Sequence, residues 1–66
     1  MKNYVREERT IKELTQVQLA EMVNVSRQTI ISIETSRYTP SVILAIKIAN
    51  VLGKKVETLF EVENSD

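Results

Sequence analysis

The sequence predicts an all-α fold, a compact bundle of five helices with a short β-strand at its carboxyl end. Three observations lead there. Glycine and proline occur once each in 66 residues. Apolar residues recur at helical spacing through nearly the whole chain. The apolar stretches are separated only by brief polar steps, at Thr15, Asn24, Ser26 and Thr35–Thr39.

The first helix is expected over Lys2–Lys12, with Val5 its clearest apolar position and Tyr4 and Ile11 weaker ones. The second opens at Thr15, an N-cap whose capping box is completed by Gln18 three residues on. Leu14 before that cap and Leu19 after it form a hydrophobic-staple pair. Leu19, Ala20 and Val23 make the inward stripe, and Asn24 stops the helix because Asn tolerates the left-handed conformation. The third helix starts at Ser26 and runs over 27–34, with Ile30 and Ile33 inward and Val25 beneath the turn. Thr35–Thr39 is a loop. Thr39 is read as the cap of the fourth helix, with Pro40 at its first position. That helix extends to Leu52, where Gly53 ends it. Val56–Phe60 forms a short fifth helix, Glu61-Val62-Glu63 alternates as a strand does, and Asn64-Ser65-Asp66 reads as a frayed end.

Length and composition bound the function. Sixty-six residues make one small domain, spanning 1–66, that hides only about 60% of the surface its unfolded chain exposes. There is no cysteine and no histidine. This excludes disulfides, structural zinc and the usual Ser-His or Cys-His nucleophile pairs. With no phosphate-cradling glycine loop either, no catalytic residue, cofactor or metal ligand is expected. No apolar run approaches the ~20 residues of a membrane span, so the expected location is the cytoplasm. Net charge is zero, and the distribution is nearly even. Residues 1–40 carry one positive charge in excess and residues 41–66 one negative. Charge alone therefore selects no partner.

The informative stretch is TQVQLAEMVNVSRQTIISIETSRYTP, from Thr15 to Pro40. Two short helices are separated by about three residues, one of them a turn former. Such a joint crosses the helices steeply, as in a helix-turn-helix with its core at 15–35. Small Ala20 stands where the second helix must pass closely, and Ile30 and Ile33 lock that helix against the first.

In these residues the chain resembles the Xre/Cro family, the lambda-repressor-like helix-turn-helix proteins. LTQ-x-x-LA, VSRQTI, IE and the Y-x-P step carry the resemblance, which covers residues 3 to about 60. It implies a five-helix DNA-binding fold, homodimers and transcriptional repression at palindromic operators, with the helix at 27–34 in the major groove. The base-reading positions implied are Arg27, Gln28 and Ser32, and Ile31 is a further candidate as a solvent-facing apolar residue of the same helix. Arg can pair with guanine, Gln with adenine, and an apolar group can cover a thymine methyl. Phosphate contacts are implied for Thr15, Gln16, Ser26, Thr29, Arg37 and Tyr38. Arg9 and Glu34 match a semi-buried structural ion pair. The sequence departs from the family pattern at Glu13, where Gly or Asn is usual, at Glu8, where an apolar residue is common, and at Thr35-Ser36, where Asn-Gly is usual. The last departure predicts non-glycine strain or a different loop shape.

The fourth helix is apolar over more of its circumference than one core face requires. An excess of that kind marks a partner surface. A twofold homodimer through residues 41–62 is expected, with Ile43, Ile46, Asn50, Val56 and Phe60 as contacts. The expected partners are thus double-stranded DNA and a second copy, with no membrane and no small-molecule ligand. The alternative function is a protein-interaction module, an antitoxin or anti-repressor, using the same fold.

Overall fold

The computed structural model describes residues 1–63. The expected fold class holds: five helices and a two-stranded ribbon. The order is β1 (Lys2–Asn3), α1 (Val5–Ile11), α2 (Gln16–Met22), α3 (Arg27–Glu34), α4 (Val42–Leu52), α5 (Val56–Leu59) and β2 (Phe60–Glu61). Asn64-Ser65-Asp66, read as a frayed end, lies outside the described residues.

Thirteen side chains form the core: Val5, Leu19, Ala20, Val23, Ile30, Ile33, Leu44, Ala45, Ile48, Ala49, Leu52, Leu59 and Phe60. Each of the five helices contributes at least one. Leu14 packs half-buried against this core from the α1–α2 turn. Ile11, read as a weak core position, is exposed instead.

Helices α1 to α4 all end in the same way. Just past the last helical turn one residue takes a left-handed backbone, with φ of 58° at Glu13, 59° at Asn24, 60° at Ser36 and 67° at Gly53. Its N–H, and that of the residue following, reach back to close the turn. In α3, for example, Ser36 N–H donates to the Ile33 carbonyl at 3.0 Å and Arg37 N–H to the Ser32 carbonyl at 2.8 Å. This is a Schellman closure, which favours glycine because a Cβ crowds the left-handed backbone. Glu13 terminates α1 in this conformation despite its side chain. Ser36 carries the strain expected of the loop.

Four boundaries differ from the sequence expectation. Lys2 and Asn3 are not helical but form β1, antiparallel to β2 with Lys2 opposite Glu61 and Asn3 opposite Phe60. Asn favours caps over helix interiors, and here the Asn3 Oδ1 accepts from Val5 N–H at 3.2 Å, closing the start of α1. Helix α4 is capped by Ser41, whose Oγ accepts from Leu44 N–H at 3.2 Å. Thr39 is not the cap, and Pro40 is buried ahead of it. Helix α5 ends at Leu59 because Phe60 turns extended, φ −120° and ψ 127°. The strand therefore begins at Phe60, and Val62 and Glu63 lie beyond its pairing.

Candidate nucleic-acid interface

The helix-turn-helix is built by two caps and one tight turn. Thr15 Oγ1 accepts from Gln18 N–H at 3.0 Å, and Gln18 Oε1 accepts from Thr15 N–H at 2.8 Å. This reciprocal box fixes the amino end of α2. Val23 to Ser26 form the turn, with Asn24 supplying its left-handed residue. Ser26 Oγ then accepts from Thr29 N–H at 3.2 Å and lies 3.0 Å from Thr29 Oγ1.

Burial of Ile30 and Ile33 fixes the rotation of α3 about its axis. Arg27 and Gln28 are consequently exposed, while Thr29, Ile31 and Ser32 are half-buried. Within the described residues, no hydrogen bond or ion pair engages the side chains of Arg27, Gln28 or Arg37. Donors in that state are open to an external acceptor.

The loop after α3 folds back on it. Ser32's carbonyl accepts from both Arg37 N–H and Tyr38 N–H, at 2.8 and 3.2 Å. Thr35's hydroxyl donates to the Ile31 carbonyl at 2.8 Å. A shallow cleft of about 400 Å³ is thereby lined by Val25, Thr29, Ser32, Tyr38 and Leu44. Three candidate residues, Thr29, Ser32 and Tyr38, bring hydroxyls to an apolar floor there.

Arg9 and Glu34 meet as a fork. Arg9 Nε donates to Glu34 Oε2 at 2.7 Å and Nη2 to Oε1 at 3.3 Å. Their side chains are 14% and 3% exposed. Arg9 Nη1 also donates to the Leu14 carbonyl at 2.7 Å. Gln16 Nε2 adds a further hydrogen bond to Glu34 Oε1 at 3.2 Å. One carboxylate thus ties α1, the start of α2 and the end of α3 together. The Gln16–Glu34 bond escapes sequence reasoning, because nothing in the spacing of the two residues marks it. The hook from Asn3 to α3, an Nδ2 hydrogen bond to the Ile33 carbonyl at 2.9 Å, escapes it for the same reason.

Of the expected partner-face residues, Ile43 and Ile46 are 69% and 43% exposed. Asn50 is exposed too, in helical register with them, and Val56 is half-buried. Phe60 is a correction. It is only 7% exposed and belongs to the core, since on the extended backbone of β2 its ring is turned inward. Val42, at 75%, is the apolar residue that instead extends the exposed face. Among the described residues no cluster of acidic side chains could hold a metal ion, and no helix is long and apolar enough to cross a membrane.

Residues 5–59 match the profile of a helix-turn-helix family. The chain is 47% identical over its whole length, and that of its relative, to an uncharacterized HTH-type transcriptional regulator of Methanocaldococcus jannaschii. It is 41% identical to the immunity repressor protein of Bacillus phage phi105, matching over 94% of this chain and 45% of the repressor. Among solved structures, the restriction-modification controller protein C.AhdI of Aeromonas hydrophila superposes with a TM-score of 0.78 at 30% identity, over 85% of each chain.

Proposed function

The chain belongs to the helix-turn-helix family, and from that membership we propose that it is a sequence-specific DNA-binding transcriptional regulator. We read it further as a repressor that binds a palindromic operator as a homodimer. The observation that carries this reading is the pairing of two faces on α3. Ile30 and Ile33 anchor one face in the core, while Arg27 and Gln28 stand exposed and unengaged at the amino end of the other. The N-terminal part of such a helix is what reaches base edges in the major groove.

In this reading Arg27 pairs with a guanine, Gln28 with an adenine, and Ile31 and Ser32 cover neighbouring positions. Thr15, Gln16, Ser26, Thr29, Arg37 and Tyr38 hold the flanking phosphates. Arg9 and Glu34 keep the frame rigid. Two copies join through the α4 face that carries Ile43, Ile46 and Asn50, with Val56 at its edge. Twofold symmetry then sets half-sites one helical turn apart, ~10 bp centre to centre. The chain is neutral, so non-specific binding is weak. If each subunit neutralises about two phosphates, the slope of log affinity against log salt is roughly −3.6 for the dimer. Names of similar proteins, a transcriptional regulator and an immunity repressor, support the same reading.

Selection from a random duplex library at near-physiological salt tests it. An enriched inverted repeat with half-sites one turn apart is the expected result. No enrichment by well-folded protein overturns it, and makes the exposed α4 face the site of a protein-interaction module.

A further inference from the structure

We propose that Glu34 is a positioning residue for DNA binding: its carboxylate orients the Gln16 side-chain amide for a phosphate. The inference rests on the DNA-binding reading above. Its basis is the 3.2 Å hydrogen bond from Gln16 Nε2 to Glu34 Oε1.

The chemistry of the two groups fixes the orientation. An ionised carboxylate only accepts, so Gln16 must turn its NH2, and not its carbonyl, toward Glu34. The NH2 has two hydrogens, and Glu34 takes one. The second remains on a half-buried residue at the first position of α2. A phosphate also only accepts. A Gln with its carbonyl outward would repel it, and a freely rotating Gln would lose rotamer freedom on binding. Glu34 removes both costs in advance.

A carboxylate near a phosphate would ordinarily be repulsive. Here the Arg9 guanidinium engages both of its oxygens, at 2.7 and 3.3 Å. The pair presents no net charge, and the Glu34 side chain is 3% exposed. Arg9 is in turn held by the Leu14 carbonyl, one residue before the α2 cap. The ion pair therefore does more than join helices, since it sets the hydrogen-bonding direction of the donor at the start of α2.

Replacing Glu34 with Gln isolates this role. Arg9 needs acceptors, so the substituted amide turns its oxygen to Arg9 and its NH2 to Gln16. Gln16 must then present its carbonyl to that NH2, which reverses the donor it held. The experiment is a double-mutant cycle of Glu34→Gln and Gln16→Ala, with binding to a fixed duplex read at a temperature where all four proteins are folded by circular dichroism. Glu34→Gln is expected to weaken binding about threefold to tenfold per bound subunit. The loss should be equal on selected and unrelated duplexes, since a phosphate contact carries no sequence, and it should vanish in the Gln16→Ala background. An equal loss in both backgrounds overturns the proposal while leaving DNA binding intact. Failure of the parent protein to bind any duplex overturns the underlying reading instead. Side-chain amide relaxation in the free parent protein supplies a second test without mutation. Gln16 should be more ordered than exposed Gln28, and equal mobility overturns the proposal.

Discussion

Asn3 and Ile33 lie thirty residues apart in sequence, and the Asn3 side-chain amide donates to the Ile33 carbonyl at 2.9 Å. The same side chain accepts from Val5 N–H through its Oδ1. One residue therefore starts α1 and secures the last turn of α3. Ser36 reinforces the link by donating its hydroxyl to the Met1 carbonyl at 3.0 Å.

Asn3→Ala should destabilise the fold by about 1–3 kcal/mol, since two half-buried hydrogen bonds disappear. Asn3→Asp should do no better. It keeps the acceptor for Val5 but sets a carboxylate against the Ile33 carbonyl. Urea midpoints of the two variants check this, and full recovery by Asp would contradict it.

Glu34→Ala should cost about 3 kcal/mol, because it strands the Arg9 guanidinium in a nearly buried site. A chain of this size has only about 3–10 kcal/mol of stability in total. Arg9→Met combined with Glu34→Leu should recover much of the loss, because apolar groups of similar volume need no partner. Thermal melts of the single and double variants decide it. A single variant that melts with the parent would show the ion pair to be idle.

Glycine at the helix ends should act in opposite directions. Glu13→Gly relieves a left-handed glutamate, with φ 58°, on an exposed site. A gain of about 0.5–1 kcal/mol is expected, raising the melting midpoint by several degrees. Gly53→Ala should lose about 1–2 kcal/mol. There the cost is conformational rather than steric, since the added Cβ would sit 3.5 Å from Lys12 Nζ, an ordinary van der Waals distance.

Arg27 and Arg37 should separate specificity from affinity. Arg27→Ala should cost about 1–3 kcal/mol on the selected operator and relax the preference at one base pair. Arg37→Ala should weaken all duplexes alike and reduce the salt slope by about 0.9 for each phosphate that the guanidinium neutralises. Titrations on operator and scrambled DNA at several salt concentrations read both quantities. A reversal of the two patterns would reassign the residues.

Ile46→Lys should yield a folded monomer. It places a charge at the centre of the exposed α4 face without touching the buried Ile48 and Ala49. Sedimentation equilibrium checks the mass, and operator affinity should fall at least about tenfold, because two half-sites no longer bind as one. A dimer that persists would move the interface elsewhere.

Much of this fold is legible because its helix ends are local. The Thr15–Gln18 box, the Ser26 cap, and the turns at Asn24 and Gly53 depend on residues within one turn of each other. The core stripes of α2 and α3 follow from spacing alone. Features that depend on distant residues are not legible. Lys2 and Asn3 look like the start of a helix until Phe60 and Glu61 arrive to pair with them. Phe60 reads as an apolar residue free for a partner until its extended backbone is known. Ser41 and Thr39 are equally good caps by residue type, and the hydrogen bond from Leu44 N–H to Ser41 Oγ separates them. At the candidate interface, the exposure of Arg27 and Gln28 follows from the periodicity of Ile30 and Ile33. The Gln16–Glu34 bond needs the crossed helices in place.

The strand pair also sets an order of events during synthesis. The ribosome makes Lys2–Asn3 before α1 to α5 and their partners, Phe60–Glu61, after them. The helix-turn-helix can collapse locally in the meantime, as contacts close in sequence form fastest. The hydrogen bond that secures the end of α3 nevertheless comes from Asn3, and Asn3 pairs with a strand made after all five helices. A nascent chain stalled before Phe60 would carry the whole helix-turn-helix and still lack the strand that pairs with Asn3.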